Sequence, residues 1–120
     1  MNIQEAQQFA DRWIADWNSH DLSRILGHYS EDIRFVSPFV TSLLNEPTGT
    51  LTGREALQAY FTAALAAYPA LEFRLLSVLV GVGGLTMVYR SVQDRVAAET
   101  VDFDDSGLVN RAAVYYTETE

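Results

Sequence analysis

Cysteine is absent from the 120-residue chain, which excludes disulfides, thiolate nucleophiles and zinc–thiolate sites. Histidine is scarce. His20 and His28 are the only two, too few for a histidine-rich metal centre, so no metal is expected. Positive charge is scarce as well: the formal net charge of −8 would repel nucleic-acid phosphates and the face of an anionic membrane. No apolar run approaches the ~20 residues of a membrane-spanning helix. Met1-Asn2-Ile3-Gln4-Glu5 has neither the basic nor the apolar character of a secretory leader. The chain also lacks a glycine-rich phosphate loop and a metal-ligand spacing. The expectation is a cytoplasmic protein without cofactor, nucleic-acid partner or membrane partner.

What is present is a globular mix of apolar and polar residues, at a length suited to one domain over residues 1–120. Ala6, Phe9, Ala10, Trp13, Ile14 and Trp17 recur at helical spacing and predict a helix over 3–17, capped by Asn2 with Glu5 three residues on. Asp21 caps a second helix whose buried face is Leu22, Ile25, Leu26 and Tyr29, and Ser30-Glu31-Asp32 ends it. A strand follows over 33–40, with Pro38 suggesting an edge or a bulge. Residues 41–51 read as a loop forming one lip of a cavity. Thr52-Gly53-Arg54-Glu55 reads as a capping box opening a third helix, which Pro69 stops. Four strands, over 71–81, 85–92, 96–103 and 108–117, complete the chain. Consecutive strands joined by short turns imply an antiparallel sheet with helices on one face, an α+β architecture.

A two-residue turn near Asp94 places Arg90 and Glu99 on the same sheet face, with Val88, Ala97 and Val101 around them. A three-residue turn would reverse that relation. If both point inward each needs a partner. They then form either a structural ion pair or a polar pocket floor, where Glu99 would act as general acid with a raised pKa. Trp13, Trp17, Tyr29, Tyr60 and Tyr116 are candidates either for simple core or for the ring of a cavity. His28 lies off the apolar stripe and reads as a rim residue or a proton shuttle, and Asp16 as exposed. Ser37 shares a face with Phe35 and points inward, with no histidine placed to activate it as a nucleophile. At the C-terminal strand, Arg111, Ala113 and Tyr115 alternate with Ala112, Val114 and Tyr116 and offer a half-apolar outer face.

The order of elements resembles the SnoaL-like domains of the nuclear transport factor 2 superfamily, relatives of ketosteroid isomerases, limonene epoxide hydrolases and scytalone dehydratases. The resemblance is carried by Trp13-Ile14-Ala15-Asp16-Trp17-Asn18, His20-Asp21-Leu22, His28-Tyr29-Ser30-Glu31-Asp32 and Phe35-Val36-Ser37-Pro38-Phe39. Leu51-Thr52-Gly53-Arg54-Glu55-Ala56-Leu57 and the hairpin Phe103-Asp104-Asp105-Ser106-Gly107-Leu108-Val109 before Tyr115-Tyr116 complete it. It implies a cone-shaped fold, three N-terminal helices on a strongly curved, mainly antiparallel sheet that encloses a pocket. It also implies a homodimer formed through the outer face of the sheet. The ketosteroid isomerases carry their general-base aspartate where this chain has Ser37, and their oxyanion-hole tyrosine where it has Trp13. Their second carboxylic acid matches Glu99 and a further tyrosine matches Tyr29. Without the base, steroid isomerase chemistry is not expected. The expected ligand is a small apolar oxygenated molecule. It would be bound, or turned over by a cofactor-independent cyclase, isomerase, hydrolase or dehydratase, with Arg90 and Glu99 at the polar end. The other reading is a non-catalytic binding or dimerisation module whose cavity its own side chains fill.

Overall fold

Asn2 opens the first helix as its spacing to Glu5 predicts. In the computed structural model, which describes residues 1–117, Asn2 Oδ1 accepts from the Glu5 N–H at 2.8 Å and Glu5 Oε1 accepts from the Asn2 N–H at 2.9 Å. The helix, α1 (Ile3–Ser19), buries Ala6, Phe9, Ala10, Trp13 and Trp17 and ends at His20 in the left-handed conformation. Asp21 caps α2 (Leu22–Leu26) by accepting from the N–H groups of Ser23 and Arg24. This helix is shorter than its apolar stripe predicts. Tyr29 already opens β1 (Tyr29–Val36), because its backbone pairs with Val109 and the Val109 N–H donates to the His28 carbonyl at 2.8 Å. Ser30-Glu31-Asp32 therefore lies in a strand, across a register shift between Tyr29 and Arg34.

The same strand ends before Val40. Ser37 Oγ accepts from the Phe39 N–H at 3.2 Å and caps α3 (Pro38–Leu44), with Pro38 in the first turn where no N–H is needed. Pro38 thus marks a helix start, not a sheet edge. The predicted loop shrinks accordingly, and β2 (Thr50–Thr52) pairs antiparallel with β1. Thr52 stays in that ladder opposite Arg34. Gly53, at φ 96°, caps α4 (Arg54–Ala67) without a side-chain bond, so the predicted capping box does not form.

The remaining strands are β3 (Arg74–Val80), β4 (Gly84–Arg90), β5 (Val96–Phe103) and β6 (Val109–Tyr116). Gly84 has no alternative: a Cβ there would lie 1.9 Å from the Val101 carbonyl oxygen. The sheet order is β2-β1-β6-β5-β4-β3, antiparallel throughout except between β1 and β6. Among the described residues four α-helices, one more than predicted, accompany this curved sheet. Among the described residues no helix is long and apolar enough to cross a membrane.

Two side chains near the end of α1 position the site. Asn18 donates to the Phe73 carbonyl at 2.9 Å and accepts from the Phe73 N–H at 2.7 Å, the pairing a backbone partner would make. His20 Nε2 lies 2.7 Å from the Leu71 carbonyl oxygen. Together they hold the 71–73 segment against α1, and Phe73 stacks on Trp13 with ring centroids 5.8 Å apart.

Candidate functional site

The inner face of the sheet carries Leu85, Met87 and Tyr89 from β4 and Ala97, Glu99 and Val101 from β5, all buried. The predicted parity of β5 holds and that of β4 is reversed. The connection from Ser91 through Arg95 has an odd number of residues, not two, so Arg90 pairs with Val96 and Met87 with Glu99. Directly opposed residues share a face. Arg90 therefore lies on the outer face with Val88 and Thr86, and its Nη1 reaches Asp94 Oδ1 at 3.3 Å. It does not reach the interior, and the predicted pairing of Arg90 with Glu99 is absent.

Glu99 stands inside without an arginine. It is 3% exposed. Its Oε1 accepts from the Tyr89 hydroxyl at 2.8 Å, and its Oε2 is buried with no hydrogen-bond partner among the described residues. Burial penalises the charged carboxylate and raises its pKa from 4.5 to about 7, against the smaller opposing pull of the Tyr89 hydrogen bond. A carboxyl with that affinity exchanges its proton near neutral pH, which suits a general acid or base.

Glu99 lines a cavity of about 40 Å³, together with Trp13, Trp17, Tyr60, Tyr89 and Tyr116. Four of the predicted ligand-contacting residues, Trp13, Trp17, Tyr60 and Tyr116, are thus brought together with Glu99. Tyr29 lies behind them, fully buried, and its hydroxyl accepts from Trp13 Nε1 at 3.0 Å. Trp17 Nε1 is left without a partner among the described residues. Burial raises the pKa values of Tyr29, Tyr60, Tyr89 and Tyr116, so all four stay protonated donors. Ser37 is buried and its hydroxyl lies beside those of Tyr60 and Tyr116, favouring their charged forms slightly. Its geometric role is the cap of α3, outside the cavity wall.

His28 is not a proton shuttle to this cavity. Its Nε2 lies 2.7 Å from Asp16 Oδ2, and Arg24 Nη2 lies 2.8 Å from Asp16 Oδ1. Asp16 is half-buried by this clamp between α1 and α2, where exposure had been expected.

Sequence reasoning missed Tyr89, Phe73, Ser91 and Arg95. Tyr89 was legible as the third member of the alternation Leu85, Met87, Tyr89. Arg95 is buried beneath the turn, with its guanidinium carbon 5.4 Å from the centre of the Phe39 ring. No spacing in the sequence signals that contact, because it joins the turn before β5 to α3.

Comparison with known proteins agrees with this fold. No curated protein shows a significant match. Among solved structures, a SnoaL-like protein of unknown function from Burkholderia thailandensis E264 superposes with a TM-score of 0.93 at 36% identity, covering 98% of each chain. An NTF2-like protein of unknown function from Burkholderia xenovorans LB400 superposes with a TM-score of 0.72 at 14% identity, covering 96% of this chain and 84% of its own. Another, from Cytophaga hutchinsonii ATCC 33406, gives 0.70 at 11% identity, over 92% and 88%. These two show the shared fold. The family model for the SnoaL-like domain matches residues 10–117, a span that runs from within α1 through β6, and the chain belongs to the SnoaL-like domain family.

Proposed function

We infer that this chain binds a small, mostly apolar molecule by an oxygen atom, with Glu99 as the polar anchor and proton-exchanging group. The observation that carries the reading is the Glu99 carboxyl itself: buried, bonded on one oxygen only, and lining a cavity walled by aromatic rings. An unpaired buried polar atom costs about 1–3 kcal/mol, a cost that a ligand hydroxyl or carbonyl would offset. Protonated Glu99 donates to a carbonyl; ionised Glu99 accepts from a hydroxyl or removes a proton. Tyr60 and Tyr116 orient the oxygen, while Trp13 and Trp17 pack the apolar body. Isomerisation, dehydration, cyclisation and hydrolysis are the reaction classes that such a single carboxyl serves without a cofactor.

A second reading rests on the volume. At about 40 Å³ the cavity is far below the roughly 300–1,000 Å³ of drug-sized pockets, as in a binding or dimerisation module filled by its own side chains. A thermal-shift screen with small oxygenated apolar compounds separates the two, since a ligand raises apparent stability by mass action. Compounds that stabilise the wild type and lose their effect in Glu99→Gln support the pocket. If no compound shifts either protein, the filled module stands.

The reading includes a homodimer through the outer face of the sheet. Val88, Ala98 and Tyr115 are cross-strand neighbours there, and Tyr115 is 67% exposed. One patch meeting its own copy closes a two-fold interface.

A further inference from the structure

The inner cavity does not end at its own wall. A groove of about 340 Å³ on the surface shares Tyr68, Leu71, Ser91 and Val92 with it and continues along Ala67 and Gln93. Inner chamber and groove therefore adjoin along a shared rim, between the end of α4 and the turn after β4. The two differ in chemistry and size. The chamber holds the unpaired Glu99 oxygen and has space for only a few atoms. The groove is several times larger, and alanine, proline, leucine, valine and the Tyr68 ring supply most of its wall. Its single ionisable carboxylate is Glu72, which disfavours an anionic occupant, as does the net charge of −8.

The turn that follows this rim is also unusual in its backbone. Gln93 and Asp94 both adopt left-handed φ, 56° and 59°, a region aspartate tolerates but glutamine adopts uncommonly. Residues held in such conformations cluster at ligand clamps and persist only where their surroundings hold them. Here the Ser91 N–H donates to the Arg95 carbonyl at 2.7 Å, and the Arg95 N–H to the Val92 carbonyl at 3.2 Å. Arg95 in turn lies over Phe39, another residue of the chamber wall. The turn that shapes the groove is thereby fastened to the helix that covers the chamber.

We propose that the ligand is a neutral two-part molecule, with a small carbonyl or hydroxyl head in the Glu99 chamber and an apolar chain lying in the groove between Tyr68 and Val92. The proposal rests on the chamber being a ligand site and adds to it the size, charge and direction of the ligand.

The test uses the 2-alkanones from 2-butanone to 2-nonanone, with binding read from the fluorescence of Trp13 and Trp17. A chain entering an apolar groove gains about three- to fourfold in affinity per methylene. That climb is expected in the wild type, and in Val92→Glu it flattens. Ala67→Glu, at an exposed position on the groove alone, gives the same flattening should Val92→Glu fail to fold. Glu99→Leu, which removes the donor that glutamine would keep, weakens every ketone, the shortest included, without changing the climb. An equal climb in wild type and both groove variants, or no climb at all, overturns the two-part ligand while the Glu99 effect keeps the chamber. If no ketone binds, chamber and groove fall together.

Discussion

Glu99 and Tyr89 meet diagonally on the inner face of the sheet, two residues off direct opposition, with the tyrosine hydroxyl donating to the carboxyl at 2.8 Å. Glu99 faces Met87 directly and Tyr89 faces Ala97, so the ring of Tyr89 leans across to reach the acid. Burial sets the direction in which the acid titrates, and this contact opposes it by favouring the carboxylate.

Stability should therefore depend on pH through Glu99. Its pKa rises from 4.5 to about 7 on folding, so the folded chain holds the proton more tightly across that window. The stabilisation is complete below pH 4.5, declines as pH rises and is lost above about 7. At roughly 1.4 kcal/mol for each pH unit the change amounts to about 3 kcal/mol, a fall in Tm on the order of 10 °C. Glu99→Gln removes this component. The difference between the two melting curves against pH is the measurement, and parallel curves would sink the assignment.

Tyr89→Phe removes the hydroxyl that favours the carboxylate. The Glu99 midpoint should then move above its wild-type value, with a cost of about 1–3 kcal/mol that is larger at high pH, where the abandoned group is charged. Carbon-13 NMR of the labelled carboxyl reads the midpoint directly. A midpoint that stays or falls contradicts the geometry.

These expectations depend on β5, whose inward face was legible in the sequence because Ala97, Glu99 and Val101 alternate with more polar neighbours. Ala112, Val114 and Tyr116 were legible in β6 for the same reason. β4 was not, since Leu85, Met87 and Tyr89 compete with Val88 for the apolar face and local pattern leaves the two faces nearly equal. The deciding quantity was the length of the 91–95 turn, which the left-handed Gln93 and Asp94 lengthen without any glycine to announce it. Ser37-Pro38 was legible as a cap followed by a first-turn proline, yet the β-like run before it pulled the reading toward a longer strand. Tyr29 is a strand residue for a reason no local pattern holds: its partner is Val109.

Arg90→Ala tests that correction of β4. On the outer face its ion pair with Asp94 is half-exposed, and such pairs contribute about 0–1 kcal/mol. The variant should melt within a few degrees of wild type, and the pH response attributed to Glu99 should not move. A shift of that response toward higher pH would mean that the arginine does reach the acid, against the register of the strands.

Tyr115→Asp tests the outer face. Tyr115 projects from β6 beside Ala98, and Ala98 faces Val88 across the next strand pair, so the apolar row crosses three strands. In a two-fold interface every residue is used twice, and a charge placed in its centre meets its own copy at short range, with loss of the aromatic contact as well. The expected result is a dimer for wild type in sedimentation velocity, and for the variant a dissociation constant at least about tenfold larger. Because Tyr115 is mostly exposed in the protomer, the variant should keep its fold and the Glu99 titration, so a change confined to mass separates assembly from folding. A wild type that sediments as a monomer at micromolar concentration overturns the homodimer outright and leaves the Glu99 cavity to be judged by ligand binding alone.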